Sequence, residues 1–305
     1  MPQAGGESRR VLIVLADGIQ TAFAAGAVAE LGRAGVRWDE VWGAGLGAQV
    51  AVLAALGEAD EAARRWRRQG ELGCPLLQSR VGALGDRLGD PAGILLVPDP
   101  FNFAGWLHPE VLDEHLAPER ADLPGRLRAA GVTARVALAD LESGSLDWVA
   151  LDSASATEAG ALLTAAATFA AGWGPRRAIT GGAERLLLGG VGALPPVAPP
   201  GATDAACDLV CGFPVPAVER LGAGGALLEV VQRRDELRAA AAVASWGGCA
   251  RLVAPTAAAY RRWAARDNAE LGVEWPLPAE RNGELAGLLV EFGAAVARAA
   301  LESAR

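Results

Sequence analysis

The first apolar segment of the chain is a continuous run of five residues, 11–15, with Arg10 before it and Asp17 shortly after it. A run of this kind is typical of a strand buried on both faces of a sheet. Asp17-Gly18 then predicts a turn, and Thr21 is placed to cap a helix that ends near Gly32 to Gly35. The apolar residues of this helix are Phe23, Val28 and Leu31.

A second strand is predicted at 39–42, and a glycine-rich turn follows it. Gly43, Gly45 and Gly47 are spaced two residues apart, and the apolar residues after them predict a helix from Gln49 to Leu56. Two successive strand–helix units imply right-handed crossovers and a mostly parallel sheet. The pattern therefore predicts an α/β protein.

The rest of the chain continues to alternate between helices and strands. Further strands are predicted at 134–139, 148–151, 184–188, 208–210 and 250–253. Further helices are predicted at 58–69, 109–116 and 157–171. A turn at 142–144 makes 148–151 an antiparallel hairpin partner, and the segment 74–103 receives no assignment. A long amphipathic helix closes the chain, with a core-facing stripe of Leu285, Leu288, Leu289, Phe292 and Val296.

Length and charge restrict the classes of function. The chain has 305 residues, of which 51% are hydrophobic, and we expect a polar tail over 1–10 and a single domain over 11–303. A net charge of -8 argues against nucleic-acid binding and against a polybasic membrane surface. The apolar run at 11–16 is too short for a membrane span or a signal segment, so we expect a cytoplasmic protein that is not integral to a membrane. All 28 basic residues are Arg, which indicates a GC-rich, bacterial genome and excludes lysine chemistry.

Cysteine and histidine residues are few. Cys74, Cys207, Cys211 and Cys249 lack the close spacing of a zinc site, and we expect buried free thiols, no metal and no cofactor. His108 and His115 lie in or beside the helix from Pro109, and a surface pair is favoured over a shared functional face. The Arg-rich helix at 58–69, with Arg64, Arg65, Arg67 and Arg68 around Trp66, is predicted to present a solvated face rather than an anion site.

The glycine turn has the outline of a nucleophile elbow. In the motif Gly-x-Ser-x-Gly, small residues on both sides of the serine let strand and helix approach closely, and the serine is held at a positive φ. Here the flanking glycines are Gly43 and Gly47, and the serine position is Gly45. A glycine adopts that backbone conformation without strain, but it has no nucleophile. A plain glycine-rich turn into a helix remains the alternative for this segment alone.

Several separated segments, in order, resemble the patatin-like phospholipase family from about residue 11 to residue 301. Residues 16–21, Ala-Asp-Gly-Ile-Gln-Thr, and 22–26, Ala-Phe-Ala-Ala-Gly, are similar to the family's oxyanion loop Gly-Gly-Gly-x-Arg-Gly and its first helix. Residues 43–48 are similar to the elbow Gly-x-Ser-x-Gly-Ala, 139–144 to a later strand and turn, and 165–170 to Ala-Ser-x-Ala-x-Pro. Leu188-Gly189-Gly190-Val191, with Pro196 behind it, falls where the family has Asp-Gly-Gly and Asn-x-Pro. The malonyl-carrier-protein transacylases are a second family with a similar elbow, Gly-His-Ser-Leu-Gly, which lies later in their chains.

The resemblance implies a three-layer α/β/α fold with a mostly parallel central sheet. It also implies an elbow serine that attacks a lipid ester, an aspartate that activates the serine, and a glycine loop that binds the oxyanion. This chain departs from the pattern at each of these points: Gly45 replaces the serine and Leu188 the aspartate. In the oxyanion loop Asp17-Gly18-Ile19-Gln20, Asp17 and Gln20 replace a glycine and an arginine, and a carboxylate there opposes a developing negative charge.

Two hypotheses of different class follow. In the first, the chain is a degenerate patatin-like protein that acts as a binding or assembly module for a protein partner, a second copy of itself, or an acyl or lipid group. In the second, it is a lipid acyl hydrolase or acyltransferase with a rearranged site, for which Ser153, Ser155, Ser245 and Cys249 are the candidate nucleophiles. Nothing in the sequence places any of these four beside a base, so we favour the first hypothesis.

Overall fold

A central sheet of eight strands organises the part of the chain that the computed structural model describes, which is residues 9–77, 107–168, 173–195, 197–199, 206–213, 237–244, 246, 251–256, 259 and 282–303. The strands are β1 Val11–Leu15, β2 Glu40–Ala44, β3 Thr133–Asp140, β4 Leu146–Ala150, β5 Arg176–Thr180, β6 Ala183–Leu188, β7 Cys207–Cys211 and β8 Arg251–Val253. Their order is β5-β6-β3-β2-β1-β7-β8, and β4 also pairs with β3. The run from β3 to β8 through β2, β1 and β7 is parallel, whereas β4 and β6 are antiparallel to β3, and β5 is antiparallel to β6.

Helices cover both faces of the sheet. They are α1 Thr21–Arg33, α2 Gly47–Ala55, α3 Ala59–Glu71, α4 Pro109–Arg120, α5 Leu123–Ala130, α6 Ala156–Ala167, α7 at 237–244 and α8 Asn282–Ser303. Leu12 and Val14 of β1 enter the core shared with α1 to α6 and α8, and Val11, Ile13 and Leu15 enter the core shared with α7. This alternation with a period of two feeds both cores from one strand, as a three-layer α/β/α fold requires.

The hairpin of β5 and β6 lies beyond the end of β2. The Asp140 amide donates to the Ser145 carbonyl on the β4 side, and the next amide, that of Leu141, donates to the Leu186 carbonyl. Successive amides of a strand point to opposite edges, so β6 continues the β2 edge of β3 past the end of β2. The residues after β6 are thereby brought over the turn that follows β2.

The core of the expected architecture is confirmed. β1 and β2 are adjacent and parallel, with Leu15 paired to Ala44, and Gly45 has a φ of 64°. The hairpin of β3 and β4 and the core stripe of the last helix also form as expected. The three-layer α/β/α fold with a mixed, mostly parallel sheet follows directly from the strand pairing.

Several local expectations were wrong. Thr21 is the first residue of α1 and not its cap, because a 3₁₀ turn at Gly18–Gln20 runs directly into the helix. α6 ends at Ala167, before the expected end at 171, and 169–172 lie outside the described residues. Strand β5 and helix α5 were not expected from the sequence. Of the unassigned segment 74–103, only 74–77 is described, and Pro75–Leu77 is a 3₁₀ turn.

The Arg-rich helix is less solvated than expected. Trp66 is buried in the core, and Arg65 reaches the buried carboxylate of Glu119 with Nη1 to Oε1 at 2.6 Å. His115 contradicts the surface pair, since its ring packs edge-on against Trp66 and its Nε2 lies 2.8 Å from Gln49 Oε1. His108 is the more exposed of the two and contacts Glu110.

Candidate functional site

Four chain segments meet at the carboxyl ends of the strands. They follow β1, β2, β6 and β7, and backbone hydrogen bonds tie three of them together. The Gly47 amide donates to the Ala16 carbonyl at 2.9 Å, and the Gly212 amide donates to the Leu15 carbonyl at 2.8 Å. The predicted oxyanion loop and the predicted elbow therefore lie side by side, at the edge where ligands of parallel α/β sheets are commonly bound.

The elbow needs its two flanking glycines for close packing. A Cβ on Gly43 would overlap the backbone of Ala48 in α2, and one on Gly47 would lie 2.8 Å from the Val14 carbonyl oxygen. Strand and helix thus pass each other at backbone distance on both sides of the turn. This is the geometry for which a nucleophile elbow uses small residues at these positions.

The carboxylate of Asp17 fills the space into which a side chain at position 45 would project. A Cβ built on Gly45 would overlap Asp17 Oδ1 and lie 2.6 Å from Asp17 Cγ and 2.5 Å from the Ala16 carbonyl oxygen. Asp17 is 3% exposed, and its Oδ2 accepts a hydrogen bond from the Val191 amide at 2.6 Å. The carboxylate is therefore fixed between the elbow and the turn after β6. The sequence signal for this arrangement was an acidic residue at 17 together with a glycine at 45.

The remaining oxyanion-loop and aspartate positions lie around this contact. Gly18 has a φ of 53° and opens the 3₁₀ turn that contains Ile19 and Gln20. Leu188 is the last residue of β6, half-buried and paired with Ala139, three positions before Val191. Its hydrocarbon side chain has no atom that accepts a proton.

Two of the candidate relocated nucleophiles are far from the elbow. Ser153 and Ser155 follow β4, which is antiparallel to β3, so they lie at the amino-terminal edge of the parallel strands, opposite Gly45. The Ser155 hydroxyl oxygen accepts a hydrogen bond from the Glu158 amide and caps α6. Ser245 and Cys249 lie outside the described residues.

A buried polar network braces the elbow helix α2 from behind. Gln49 donates from Nε2 to Glu119 Oε2 at 3.2 Å, which leaves its Oε1 to accept from His115 Nε2. Burial, and then the nearby Arg65 guanidinium, lowers the pKa of His115 to about 4, so the imidazole is neutral at pH 7. Sequence reasoning missed this network because its members come from three helices.

The described cysteines are not reactive groups. Burial raises the pKa of the Cys74 thiol to about 11, and Cys207 and Cys211 are buried within β7. Cys249 is outside the described ranges. Over those same ranges there is no group of three or more His, Cys, Asp or Glu side chains arranged to hold a metal ion. No described helix is long and apolar enough to cross a membrane.

Comparisons with known proteins give only weak likeness. No protein-family model matches the chain, and no curated protein matches it. Among solved structures, the crystal structure of VipD from Legionella pneumophila is similar over 94% of this chain and 67% of that chain, with 13% sequence identity and a TM-score of 0.40.

Proposed function

We propose that this chain is a catalytically inactive patatin-like protein that serves as a binding or assembly module. The observation that carries the proposal is the Asp17 carboxylate in the space of the residue-45 side chain. A serine nucleophile needs that space, a base beside it and an electropositive oxyanion site. In this chain the space at position 45 holds the buried side chain of Asp17, the position of the family's aspartate is Leu188, and the oxyanion loop contains the acidic Asp17 in place of a glycine.

The same contact supports a protein partner over an acyl group at the elbow. A side chain at position 45 that could carry an acyl group would have to begin where Asp17 Oδ1 and the Ala16 carbonyl already stand. Burying an apolar chain against a fixed carboxylate has an unfavourable desolvation term. An acyl or lipid ligand elsewhere on the chain, and self-association, remain parts of the hypothesis that binding assays separate.

The test is hydrolysis of short-chain and long-chain esters, together with labelling by a fluorophosphonate probe followed by intact mass. We expect no turnover and no label for the wild-type chain, and little for Gly45→Ser, because the added side chain overlaps Asp17 and position 188 has a leucine in place of the activating aspartate. Gly45→Ser with Leu188→Asp is expected to remain weak. Addition of Asp17→Gly and Gln20→Arg is expected to raise activity, since these changes free the space and restore the positive charge.

The alternative hypothesis, a rearranged hydrolase or acyltransferase, makes the opposite prediction. Wild-type turnover of a lipid ester or thioester that is lost on mutation of Ser245 or Cys249 would establish it. Loss of that turnover on mutation of Ser153 or Ser155 would also establish it, although both serines lie at the edge of the sheet opposite Gly45. Any such result would remove the proposal of an inactive protein.

A further inference from the structure

A groove with a volume of 230 Å³ lies where the β3–β4 and β5–β6 hairpins meet helix α6. Its floor is apolar and consists of Leu138, Val149, Leu162 and Leu187. Its rim is polar, with Asp140, Ser145, Asp147, Thr180 and Arg185. The groove shares no residue with the elbow, so it is a second candidate site.

The two carboxylates of the rim differ in their ion pairing and exposure. Asp140 Oδ1 accepts from the amides of Glu142 at 2.9 Å and Ser143 at 3.2 Å, and its Oδ2 accepts from Arg185 at 3.1 Å. These backbone hydrogen bonds, and then the Arg185 charge, lower the pKa of Asp140 and keep it ionised. Asp147 is exposed and has no ion pair within the part of the chain that the structure describes. The three charges of the rim therefore sum to minus one.

The two carboxylates lie on the same face of the β3–β4 hairpin. Leu138 pairs with Asp147 across the hairpin, and Asp140 lies two residues further along the same face of β3. Such diagonal neighbours are about 7–8 Å apart between Cα atoms. Asp140 is already paired with Arg185, so Asp147 is the carboxylate that faces a cation in the groove, and the methylene stem that carries the cation matches the apolar floor.

Size and charge decide the class of ligand. A volume of 230 Å³ is below the roughly 300–1,000 Å³ of small-molecule pockets, so the groove suits a small ligand. The net charge of the whole chain, -8, favours a basic ligand. We propose that this groove binds an organic cation, a guanidinium or ammonium on a short methylene stem. Its source is an arginine or lysine side chain of a partner protein, or a small free amine.

The probe for the shared chemistry is agmatine, a guanidinium on four methylenes that also ends in an amine, titrated by NMR into the full-length protein. We expect saturable shifts with a Kd of about 1 mM or tighter, which weaken with added salt. Asp147→Asn is expected to weaken binding at least about fivefold, and Val149→Phe, which fills the floor, to abolish it. The matched control is Glu114→Gln, which removes the same charge from an exposed position on α4 and is expected to leave the Kd unchanged.

The source is distinguished by a second titration with N-acetyl-arginine methylamide. Equal or tighter binding of this capped residue indicates a partner's side chain, and binding of agmatine alone indicates a free amine. Absence of binding at an agmatine concentration 10-fold above the expected Kd would overturn the proposal. An equal effect of Asp147→Asn and Glu114→Gln on the Kd would also overturn it. These outcomes are independent of the proposed inactivity of the elbow, because no variant in this set touches Asp17, Gly45 or Leu188.

Discussion

At the scale of single residues, Asp17 and Gly45 form one unit. The turn takes a positive φ at Gly45, and the space above that glycine holds the Asp17 carboxylate, which is itself bound to the Val191 amide. Substitution of either residue therefore changes which side chains fit at the other position. A serine at position 45 and the Asp17 carboxyl in its present position overlap, so one of the two must move.

The half-buried imidazole of His115 leads to a prediction about the pH dependence of stability. Its pKa is about 4 in the folded chain and about 6.5 in the unfolded chain, so between these values only the unfolded state binds the proton. The contribution of His115 to stability is therefore complete above pH 6.5 and is lost as the pH falls towards 4. As the pH falls from 6.5 to 4, the unfolding free energy measured in urea should fall less for His115→Gln than for the wild type, by at most roughly 3 kcal/mol.

The same two proteins, His115→Gln and wild type, provide a control at higher pH. Between pH 7 and pH 8 His115 is neutral in both states, so the difference in unfolding free energy between His115→Gln and wild type should stay constant. A difference that is equally constant from pH 6.5 to pH 4 would show that the imidazole is not held neutral by its surroundings.

At the scale of elements, helices α1 and α8 cross at backbone distance. A Cβ on Gly293 would overlap the Phe23 carbonyl oxygen, and one on Gly26 would overlap that of Val290. Gly293→Ala should therefore separate the two helices and lower the unfolding free energy by roughly 1–3 kcal/mol in chemical denaturation.

Gly287 provides the matched control in the same helix. A Cβ there meets nothing within 4 Å, so Gly287→Ala should be neutral or should stabilise the protein by up to about 1 kcal/mol through helix propensity. Equal effects of the two substitutions would contradict the close crossing.

Elements with a strong local signal could be predicted from the sequence. β1 is a continuous apolar run, and the elbow is marked by glycines spaced two apart, so strand, turn and following helix were all located. β5, Arg176–Thr180, was missed because its polar residues give no apolar run, and it becomes a strand only by pairing with β6. The start of α1 was misjudged because a 3₁₀ turn leaves no distinct pattern of its own.

The candidate site could be predicted only in part, because its decisive contacts are long-range. The identities of Gly45 and Leu188 are visible in the sequence, but the Asp17 carboxylate meets Gly45 only because β1 and β2 pair in a particular register. Its hydrogen bond to Val191 spans 174 positions. Likewise His115 and Gln49 lie 66 positions apart and meet through the packing of α2 on α4.

At the scale of the whole molecule, a buried carboxylate ties the amino-terminal edge of the sheet together. Asp208 in β7 accepts from Arg10 Nε at 3.1 Å, from Trp38 Nε1 at 2.8 Å and from Arg251 Nη1 at 2.9 Å. Asp208→Ala leaves two half-buried guanidinium groups and the Trp38 Nε1 without this partner. We expect a loss of about 1–3 kcal/mol in unfolding free energy, because water can solvate part of each guanidinium.

An exposed pair serves as the reference for this prediction. Arg177 and Glu184 lie 3.6 Å apart across β5 and β6, and both side chains are more than 60% exposed. Glu184→Ala should change the unfolding free energy by less than about 0.5 kcal/mol. A loss at Asp208→Ala no larger than this would show that the edge is held without the carboxylate.

The central claim is that the Asp17 carboxylate occupies the place of the nucleophile. Its most direct test is a double-mutant cycle of unfolding free energies for Gly45→Ser and Asp17→Ala. In the wild-type background, Gly45→Ser combines a positive φ with overlap of the Asp17 carboxylate, and we expect a cost of about 3 kcal/mol or more. In the Asp17→Ala background the overlap with the carboxylate is gone, and the cost should fall by at least about 1 kcal/mol. Costs that add to within about 0.5 kcal/mol would contradict the claim that the Asp17 carboxylate occupies the place of the nucleophile.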